Sequence, residues 1–270
     1  SKTLRESALY LSGHRARDLY GVAVELSADA TLKGLHRRTR TISAVESGRM
    51  RRNLDFHGVT YLSGHGRFED AHHVRIEGPD AGLVRGEVIL IATGSRPRRP
   101  DGIAFESDRI HDTDEVVNID ALPASMSILG AGVIGCEYAC MFQALGVDVT
   151  LVDSRDRLLP FLDHEMTQRL ESAMEHLGVT VVHHKCFGEI TLTDTGVRAS
   201  LGANEDLETE HLLFAAGRLG NTHALDLDKA GLAPNGRGLM DVDENYATPI
   251  GHIYAVGDVI GFPALASTSM

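Results

Sequence analysis

The residues with the clearest chemical potential lie in the segment Gly130-Ala131-Gly132-Val133-Ile134-Gly135. An apolar run typical of a short strand, Ser127-Ile128-Leu129, comes directly before it, and residues with helical spacing follow it. Asp153 stands 23 positions after Gly130, at the end of the next apolar run. A strand, a glycine turn, a helix and an acidic residue together form the complete pattern of a dinucleotide-binding unit, whereas three spaced glycines alone are a weak signal.

Each glycine of this turn has a separate physical task. Gly130 permits the tight turn, Gly132 lets a diphosphate approach the backbone, and Gly135 allows the helix to pack closely against the sheet. The diphosphate is expected at the helix N-terminus, where unpaired N–H groups and the helix dipole favour an anion, so Val133 and Ile134 are also expected cofactor-binding residues. The alternative is a glycine-rich turn without a ligand, which does not explain the rest of the pattern.

The residues after the second apolar run carry signals for two different cofactors. Asp153 is expected to accept hydrogen bonds from an adenosine ribose, which favours NAD over NADP. Arg155 and Arg157 follow at once, and guanidinium groups favour the 2′-phosphate of NADP. Alternatively, both arginines pair with Asp156 and Asp163 at the protein surface. The residue types alone leave these two interpretations open.

Other reactive side chains give weaker signals. Cys136 and Cys140 are four residues apart on the predicted helix, a spacing that positions two cysteines poorly for a disulfide, so both are expected to be small core residues. Glu137 lies on the same helix and, taken alone, indicates a solvated residue. Two groups contain metal-binding residue types, namely His183, His184 and Cys186, and His72 with His73. Neither has further ligands at suitable spacing, so no metal site is expected.

The composition is that of a folded globular protein. The 270 residues include 26 basic and 38 acidic side chains, which leaves a formal net charge of −12, and 43% are hydrophobic. A chain this acidic is repelled by phosphate backbones, so we expect no nucleic-acid partner. The longest clean apolar stretch, residues 88–92, is far shorter than a membrane span, so no membrane partner is expected. Three cysteines fit a reducing compartment and predict a cytoplasmic protein.

Alternating strand and helix signals predict an α/β fold with a parallel sheet. Apolar runs predict strands at 59–62, 73–77, 88–92, 127–129, 147–152, 179–182, 212–216 and 253–256, with a hairpin-like section at 189–201. Helical spacing predicts helices around 4–19, at 31–56, from the glycine turn to about residue 145, and at 165–177.

Five motifs, in order along the chain, resemble those of the flavoprotein pyridine nucleotide–disulfide oxidoreductases, and the resemblance covers the whole chain. The motifs are Ser1-Lys2, Ala92-Thr93-Gly94, Gly130 to Glu137, Ala216-Gly217-Arg218 with Asn221-Thr222, and Tyr254-Ala255-Val256-Gly257-Asp258. Within the family, the chain most resembles the soluble pyridine nucleotide transhydrogenases. The segments Gly64-His65-Gly66-Arg67-Phe68 and Arg155-Asp156-Arg157-Leu158-Leu159 carry this closer likeness.

The resemblance implies roles for individual residues. Lys2 and Glu137 are expected to form a catalytic ion pair beside the flavin N5. Asp258 is expected to bond the ribityl chain, and Gly66 to contact the FAD adenine through its backbone. The other implied cofactor-binding residues are Gly217 and Arg218 near the nicotinamide nucleotide, and Thr93, Gly94, Gly257, Ala264, Leu265 and Ala266 near FAD.

The resemblance also implies two Rossmann-like domains. An NAD(P)-binding domain at 118–238 is expected to be inserted into an FAD-binding domain divided between 1–117 and 239–270. The first GxGxxG of the family would precede Ser1, and its dimerisation domain would follow Met270. Both ends look cut, so we expect an internal segment of a longer polypeptide that forms a homodimer or higher homo-oligomer. The 270 residues alone are expected to bind FAD weakly or not at all.

The activity that the resemblance implies is hydride transfer from NADPH to NAD⁺ through FAD, with nicotinamide dinucleotides as the partners. Two alternatives stay open. One is a dihydrolipoamide-dehydrogenase-like or other NAD(P)H-dependent disulfide reductase, because Asp153 matches the acidic position of NAD-using members and the family's Cys-x4-Cys pair would lie before Ser1. The other is an isolated nucleotide-binding module without activity.

Overall fold

The computed structural model of the chain describes Glu6 and residues 28–202 and 205–264. These residues form an α/β fold with parallel strands, which confirms the predicted class. The helix predicted around 4–19 lies outside the described residues, apart from Glu6. No helix in the described part of the chain has the length and apolar character that a membrane span requires.

The helices are α1 (Ala28–Phe56), α2 (Val133–Ala144) and α3 (His164–Leu177). The strands are β1 (His65–Phe68), β2 (His73–Glu77), β3 (Gly82–Arg85), β4 (Ile89–Ile91), β5 (Ser95–Pro97), β6 (Ile110–Asp112), β7 (Ser125–Leu129), β8 (Asp148–Val152), β9 (Thr180–Val182), β10 (Ile190–Leu192), β11 (Val197–Ser200), β12 (Asp206–Thr209), β13 (His211–Phe214), β14 (Arg218–Gly220) and β15 (Ile253–Ala255).

The described residues divide into two compact units. Among the described residues, the first comprises those up to Arg49 together with those of Arg98–Gly217, and the second comprises Met50–Pro97 together with those from Arg218 onward. A five-stranded sheet in the order β6-β13-β7-β8-β9 forms the centre of the first unit, and every neighbouring pair is parallel. The central strand β7 is almost completely buried, as expected for a parallel strand covered on both faces.

Helices α2 and α3 of this unit begin in different ways. The Asp163 carboxylate caps α3 by accepting a hydrogen bond of 2.9 Å from the Glu165 N–H, and Gly178 ends the helix with a φ of +106°. In contrast, α2 begins at Gly132 with no side-chain cap. The first N–H groups of any helix lack intrahelical acceptors, and at α2 no capping side chain accepts from them, so they remain available to an anion.

The second unit contains three small sheets. The strands β1, β2 and β3 form an antiparallel sheet, β5 pairs antiparallel with β14, and β4 pairs parallel with β15. Its core includes Phe68, Ile91, Ile253, Ala255 and Val259, each at most 4% exposed. Because β4 and β15 are parallel, their carboxyl ends lie at the same edge.

The strand predicted at 59–62 is wrong. This part of the chain is irregular, and Val59, Tyr61 and Leu62 are exposed. The reason is that the backbone is used to end α1: the Val59 N–H donates to the Leu54 carbonyl at 2.9 Å, next to Gly58 with a φ of +66°. Tyr61 then contacts the guanidinium of Arg51 instead of a neighbouring strand.

Candidate nucleotide-binding site

The glycine turn predicted from the sequence joins β7 to α2. The Gly130 N–H donates to the Val152 carbonyl at 2.8 Å, which attaches the turn to β8. Gly130 has a φ of +106°, and a Cβ there would stand 2.9 Å from the Cα of Ala216. A Cβ on Gly135 would overlap the carbonyl oxygen of Gly130. Backbone conformation and close packing therefore require glycine at both positions.

Gly132 has neither of these requirements. Its φ of −78° is accessible to any residue, and a Cβ built there meets no atom of the described residues within 4 Å beyond the adjoining backbone. Glycine at this position leaves an open space beside the first turn of α2. Such a space fits a diphosphate that approaches the backbone at the helix N-terminus, where the dipole and the N–H groups favour negative charge.

Asp153 lies immediately after β8 and is 6% exposed. Its Oδ2 accepts a hydrogen bond of 2.5 Å from the Ala131 N–H, so the acidic residue is attached to the glycine turn. Burial works against ionisation of this carboxyl, but hydrogen bonds from Arg155 and Ala131 outweigh it and hold the pKa below its ordinary value. Asp153 is therefore a carboxylate at neutral pH.

The two arginines do not bond as the surface interpretation predicts. Arg155 forms a bidentate pair with Asp153, with Nε at 2.7 Å from Oδ1 and Nη2 at 2.6 Å from Oδ2. Arg157 donates from Nη2 to the Pro160 carbonyl at 2.8 Å. The pairing with Asp156 and Asp163 is therefore wrong: the guanidinium of Arg155 finds an acceptor two residues away, and Asp163 caps α3.

Sequence reasoning missed the contribution of the segment that follows β9. The His184 N–H donates to the Arg155 carbonyl at 3.2 Å, and the Lys185 N–H donates to the Asp153 carbonyl at 3.1 Å. His184 has a φ of +57°, which is unusual for a residue with a side chain. The residue types of this segment indicate only possible metal ligands, because a backbone contact of this kind leaves no signal in residue type.

The candidate metal ligands make other contacts. His183 Nε2 lies 2.7 Å from Glu171 Oε1, and the ring of His72 stacks on His252 with centroids 3.9 Å apart. His73 Nδ1 lies 2.9 Å from Asp70 Oδ2. Among the described residues, no group of three or more possible ligands is placed to hold a metal ion.

The helix α2, which begins at the glycine turn, carries Cys136, Cys140 and Glu137, as the sequence predicted. All three cysteines are free thiols. Cys136 is 5% exposed, and burial raises its pKa to about 12, so it is a protonated core residue at neutral pH. Burial also raises the pKa of Cys140. Glu137, Ile134 and the exposed Val133 lie on the first two turns of α2, and Lys2 lies outside the described residues.

Four of the residues assigned to FAD by resemblance lie at one edge of the second unit, namely Thr93, Gly94, Gly257 and Asp258. Thr93 and Gly94 follow β4, and Asp258 follows β15. The Asn221 side chain donates to the Thr93 carbonyl and its N–H to the Gly94 carbonyl, both at 3.0 Å. Gly94 and Gly257 have φ values of +70° and +77°. The carboxyl edge of parallel strands is where α/β sheets usually bind ligands.

One hydroxyl joins two of these residues. Ser95 Oγ donates to Asp258 Oδ2 at 3.0 Å, and Arg218 donates from Nε to Ser95 Oγ at 2.8 Å and from Nη2 to the Ser95 carbonyl at 2.7 Å. The sequence indicated Asp258 and Arg218 but not the serine that connects them.

The other residues assigned by resemblance lie elsewhere in the chain. Gly66 lies in β1, Gly217 directly precedes β14, and Ala264 has a φ of +49°. Leu265 and Ala266 lie outside the described residues.

Curated relatives match the chain along its length. The soluble pyridine nucleotide transhydrogenase of Mycobacterium tuberculosis is 42% identical over 273 residues, which cover 100% of this chain and 58% of that protein. The protein of the same name from Photobacterium profundum is 41% identical over 224 residues, which cover 82% of this chain and 48% of that protein. The chain thus spans about half the length of these relatives.

Solved structures share the fold. LpdA from Mycobacterium tuberculosis has a TM-score of 0.85 at 28% identity, covering 99% of this chain and 59% of that chain. The HOCl-induced flavoprotein disulfide reductase RclA from Escherichia coli has a TM-score of 0.82 at 24% identity, covering 97% and 58%, and supports the fold alone. The family described as pyridine nucleotide-disulphide oxidoreductase matches residues 12–270. The chain belongs to the pyridine nucleotide-disulphide oxidoreductase family.

Proposed function

We propose that the whole protein transfers hydride from NADPH to NAD⁺ through FAD. The names of its relatives, soluble pyridine nucleotide transhydrogenases, support an exchange between pyridine nucleotides. The observation that carries the proposal is a carboxylate and a guanidinium side by side after β8, in Asp153 and Arg155. A carboxylate suits the ribose diol of NAD, and a guanidinium suits the 2′-phosphate of NADP. An enzyme that exchanges hydride between the two cofactors must accept both.

The glycine turn supports the nicotinamide part of this proposal. We assign nicotinamide dinucleotide binding to residues 118–238, with the diphosphate at Gly132, Val133 and Ile134. The fit rests on the space beside Gly132, which no atom of the described residues fills. The backbone conformation does not require glycine there, so the space itself is the reason for this residue. The uncapped first turn of α2 would supply the N–H donors.

The FAD part of the proposal uses residues 1–117 and 239–270. Thr93, Gly94 and Asp258 stand at the carboxyl edge of β4 and β15, and a Cβ on Gly94 would meet no protein atom within 4 Å. This edge therefore fits a nucleotide cofactor. FAD, when bound, supplies a ring system that accepts hydride from one nicotinamide and returns it to another.

The chain's own side chains would orient the cofactor and hold charge. Asp258 would accept a hydrogen bond from a cofactor hydroxyl, and Ser95 holds its carboxylate in place. Glu137 would pair with Lys2 and keep opposite charges near the reacting centre. We further propose that the whole protein is a cytoplasmic homodimer or higher homo-oligomer.

Hydride exchange in the FAD-loaded whole protein tests the proposal. NADPH and thio-NAD⁺ are mixed with the protein, and the absorbance of thio-NADH is followed with and without a disulfide substrate such as lipoamide. We expect thio-NADH to form without the disulfide, and Glu137→Gln to slow the reaction at unchanged flavin content. Reduction of lipoamide without transhydrogenation would instead identify a disulfide reductase and contradict the proposal.

A further inference from the structure

The carboxylate of Asp153 has four hydrogen-bond donors. Oδ1 accepts from the backbone N–H of Arg155 at 2.9 Å and from Arg155 Nε at 2.7 Å. Oδ2 accepts from the Ala131 N–H at 2.5 Å and from Arg155 Nη2 at 2.6 Å. A carboxylate offers about four acceptor positions, so these bonds occupy all of them. A ribose diol beside this side chain would find no acceptor.

Two of the four donors can leave. The backbone N–H groups of Ala131 and Arg155 are held by the turn and by the chain, whereas the other two donors belong to one guanidinium. The Asp153 side chain is 5% exposed and the Arg155 side chain 40% exposed, so the arginine lies on the solvent side of the pair. Rotation of Arg155 would free one acceptor position on each oxygen, which matches the two hydroxyls of a ribose diol.

The backbone around the pair is fixed. The carbonyl of Arg155 accepts from the His184 N–H, and the carbonyl of Asp153 accepts from the Lys185 N–H, at 3.2 and 3.1 Å. Both carbonyls are therefore attached to the chain that follows β9. The partly exposed side chain of Arg155 can rotate without breaking either of these backbone bonds.

We propose that Arg155 determines cofactor specificity by exchanging partners. Without nucleotide, the Arg155 guanidinium occupies the acceptor positions of the Asp153 carboxylate. When NAD(H) binds, the guanidinium moves away and the ribose diol donates to the carboxylate; when NADP(H) binds, the guanidinium pairs with the 2′-phosphate. The inference rests on the proposed function, because it requires the adenosine ribose to lie beside Asp153. When NAD(H) binds, the guanidinium loses its charged partner and gains no other, whereas NADP(H) provides a new anion for it.

Binding of NADH and NADPH to the 270-residue chain, followed by the fluorescence of the reduced nicotinamide, tests this exchange. In Arg155→Ala, we expect the Kd for NADPH to rise about tenfold or more, because a charged hydrogen-bond partner is lost. We expect the Kd for NADH to fall by up to about fivefold, because a partly exposed ion pair no longer has to open.

Two further variants keep the test decisive. Arg155→Lys retains the charge but not the two-point contact, so NADH binding should tighten while most NADPH binding remains, even if the alanine variant folds poorly. Arg169→Ala removes an exposed arginine that pairs with Glu165 on α3, and both Kd values should stay unchanged. A weaker NADH complex in Arg155→Ala and Arg155→Lys, or equal losses for both nucleotides, would overturn the exchange while leaving the proposed function intact. A wild-type chain that binds neither nucleotide would overturn both.

Discussion

One buried and one half-buried histidine on neighbouring strands make the stability of the first unit sensitive to pH. His111 in β6 and His211 in β13 face each other, with Nε2 of the first 2.9 Å from Nδ1 of the second. His111 is 7% exposed. Burial, followed by the charge of His211, lowers the pKa of His111 to about 4, while Glu115, Asp108 and Asp112 act in the opposite direction. Burial also lowers the pKa of His211, against Glu210 and Asp108.

The direction of the effect follows from proton binding. An unfolded histidine binds its proton near pH 6.5, whereas folded His111 does so only near pH 4. The unfolded state thus binds more protons between these values, and the free energy of unfolding falls as the pH is lowered through this range. For His111 the loss is about 2 kcal/mol at pH 5 and about 3 kcal/mol at pH 4, relative to pH 7.5.

Urea unfolding followed by circular dichroism at pH 7.5 and 5.0 measures this loss. His111→Gln keeps an amide that can donate to His211, and its loss between the two pH values should be smaller than that of the wild type by about 2 kcal/mol. His176→Gln changes an exposed histidine at the end of α3 and should keep the wild-type profile. Equal pH dependence in the wild type and His111→Gln would refute the reasoning.

Two other predictions concern α2. Gly132→Ala should abolish NADH binding, measured by nicotinamide fluorescence, with little change in thermal stability, because its Cβ meets no protein atom; Gly135→Ala should lower the melting temperature markedly, because its Cβ overlaps the Gly130 carbonyl. Equal melting temperatures for the two variants would contradict this division. Iodoacetamide at pH 7.5 should alkylate the exposed Cys186 well before Cys136, whose thiol is buried with a pKa of about 12. Mass spectrometry of the peptides measures the order, and early modification of Cys136 would disprove its burial.

The sequence predicted the elements that combine strong periodicity with a clear end signal. Residues 127–129 of β7, the glycine turn and residues 165–177 of α3 follow local rules, so they could be located in advance; the first two residues of β7, the Asp163 cap and the Gly178 ending were not predicted. The strands β5 and β14 could not: they are three residues each, they contain proline and glycine, and they exist because they pair with each other across 120 residues of chain. The region at 59–62 has strand-like residues, but the end of α1 uses its backbone.

The residues of the candidate nucleotide-binding site were predictable from the sequence only in part. Gly130, Gly132, Gly135 and Asp153 stand in a spacing that few other functions require, so residue types sufficed to find them. The partner of Arg155 was not predictable, because Asp153, Asp156 and Asp163 all offer a carboxylate nearby in the sequence. Only the end of β8 decides among them, since it directs the Asp153 side chain towards the Ala131 N–H and into reach of the guanidinium.

This arrangement also decides which substitution can measure cofactor choice. The Oδ2 atom of Asp153 holds both the Ala131 N–H of the turn and the Nη2 of Arg155. Replacement of Asp153 would therefore disturb the diphosphate position together with the ribose position, and a loss of binding could not be assigned to either. Arg155 has no side-chain bond to the turn, and its guanidinium is the solvent-facing half of the pair. A change in the ratio of NADH to NADPH affinity in Arg155 variants consequently reports on the ribose position alone.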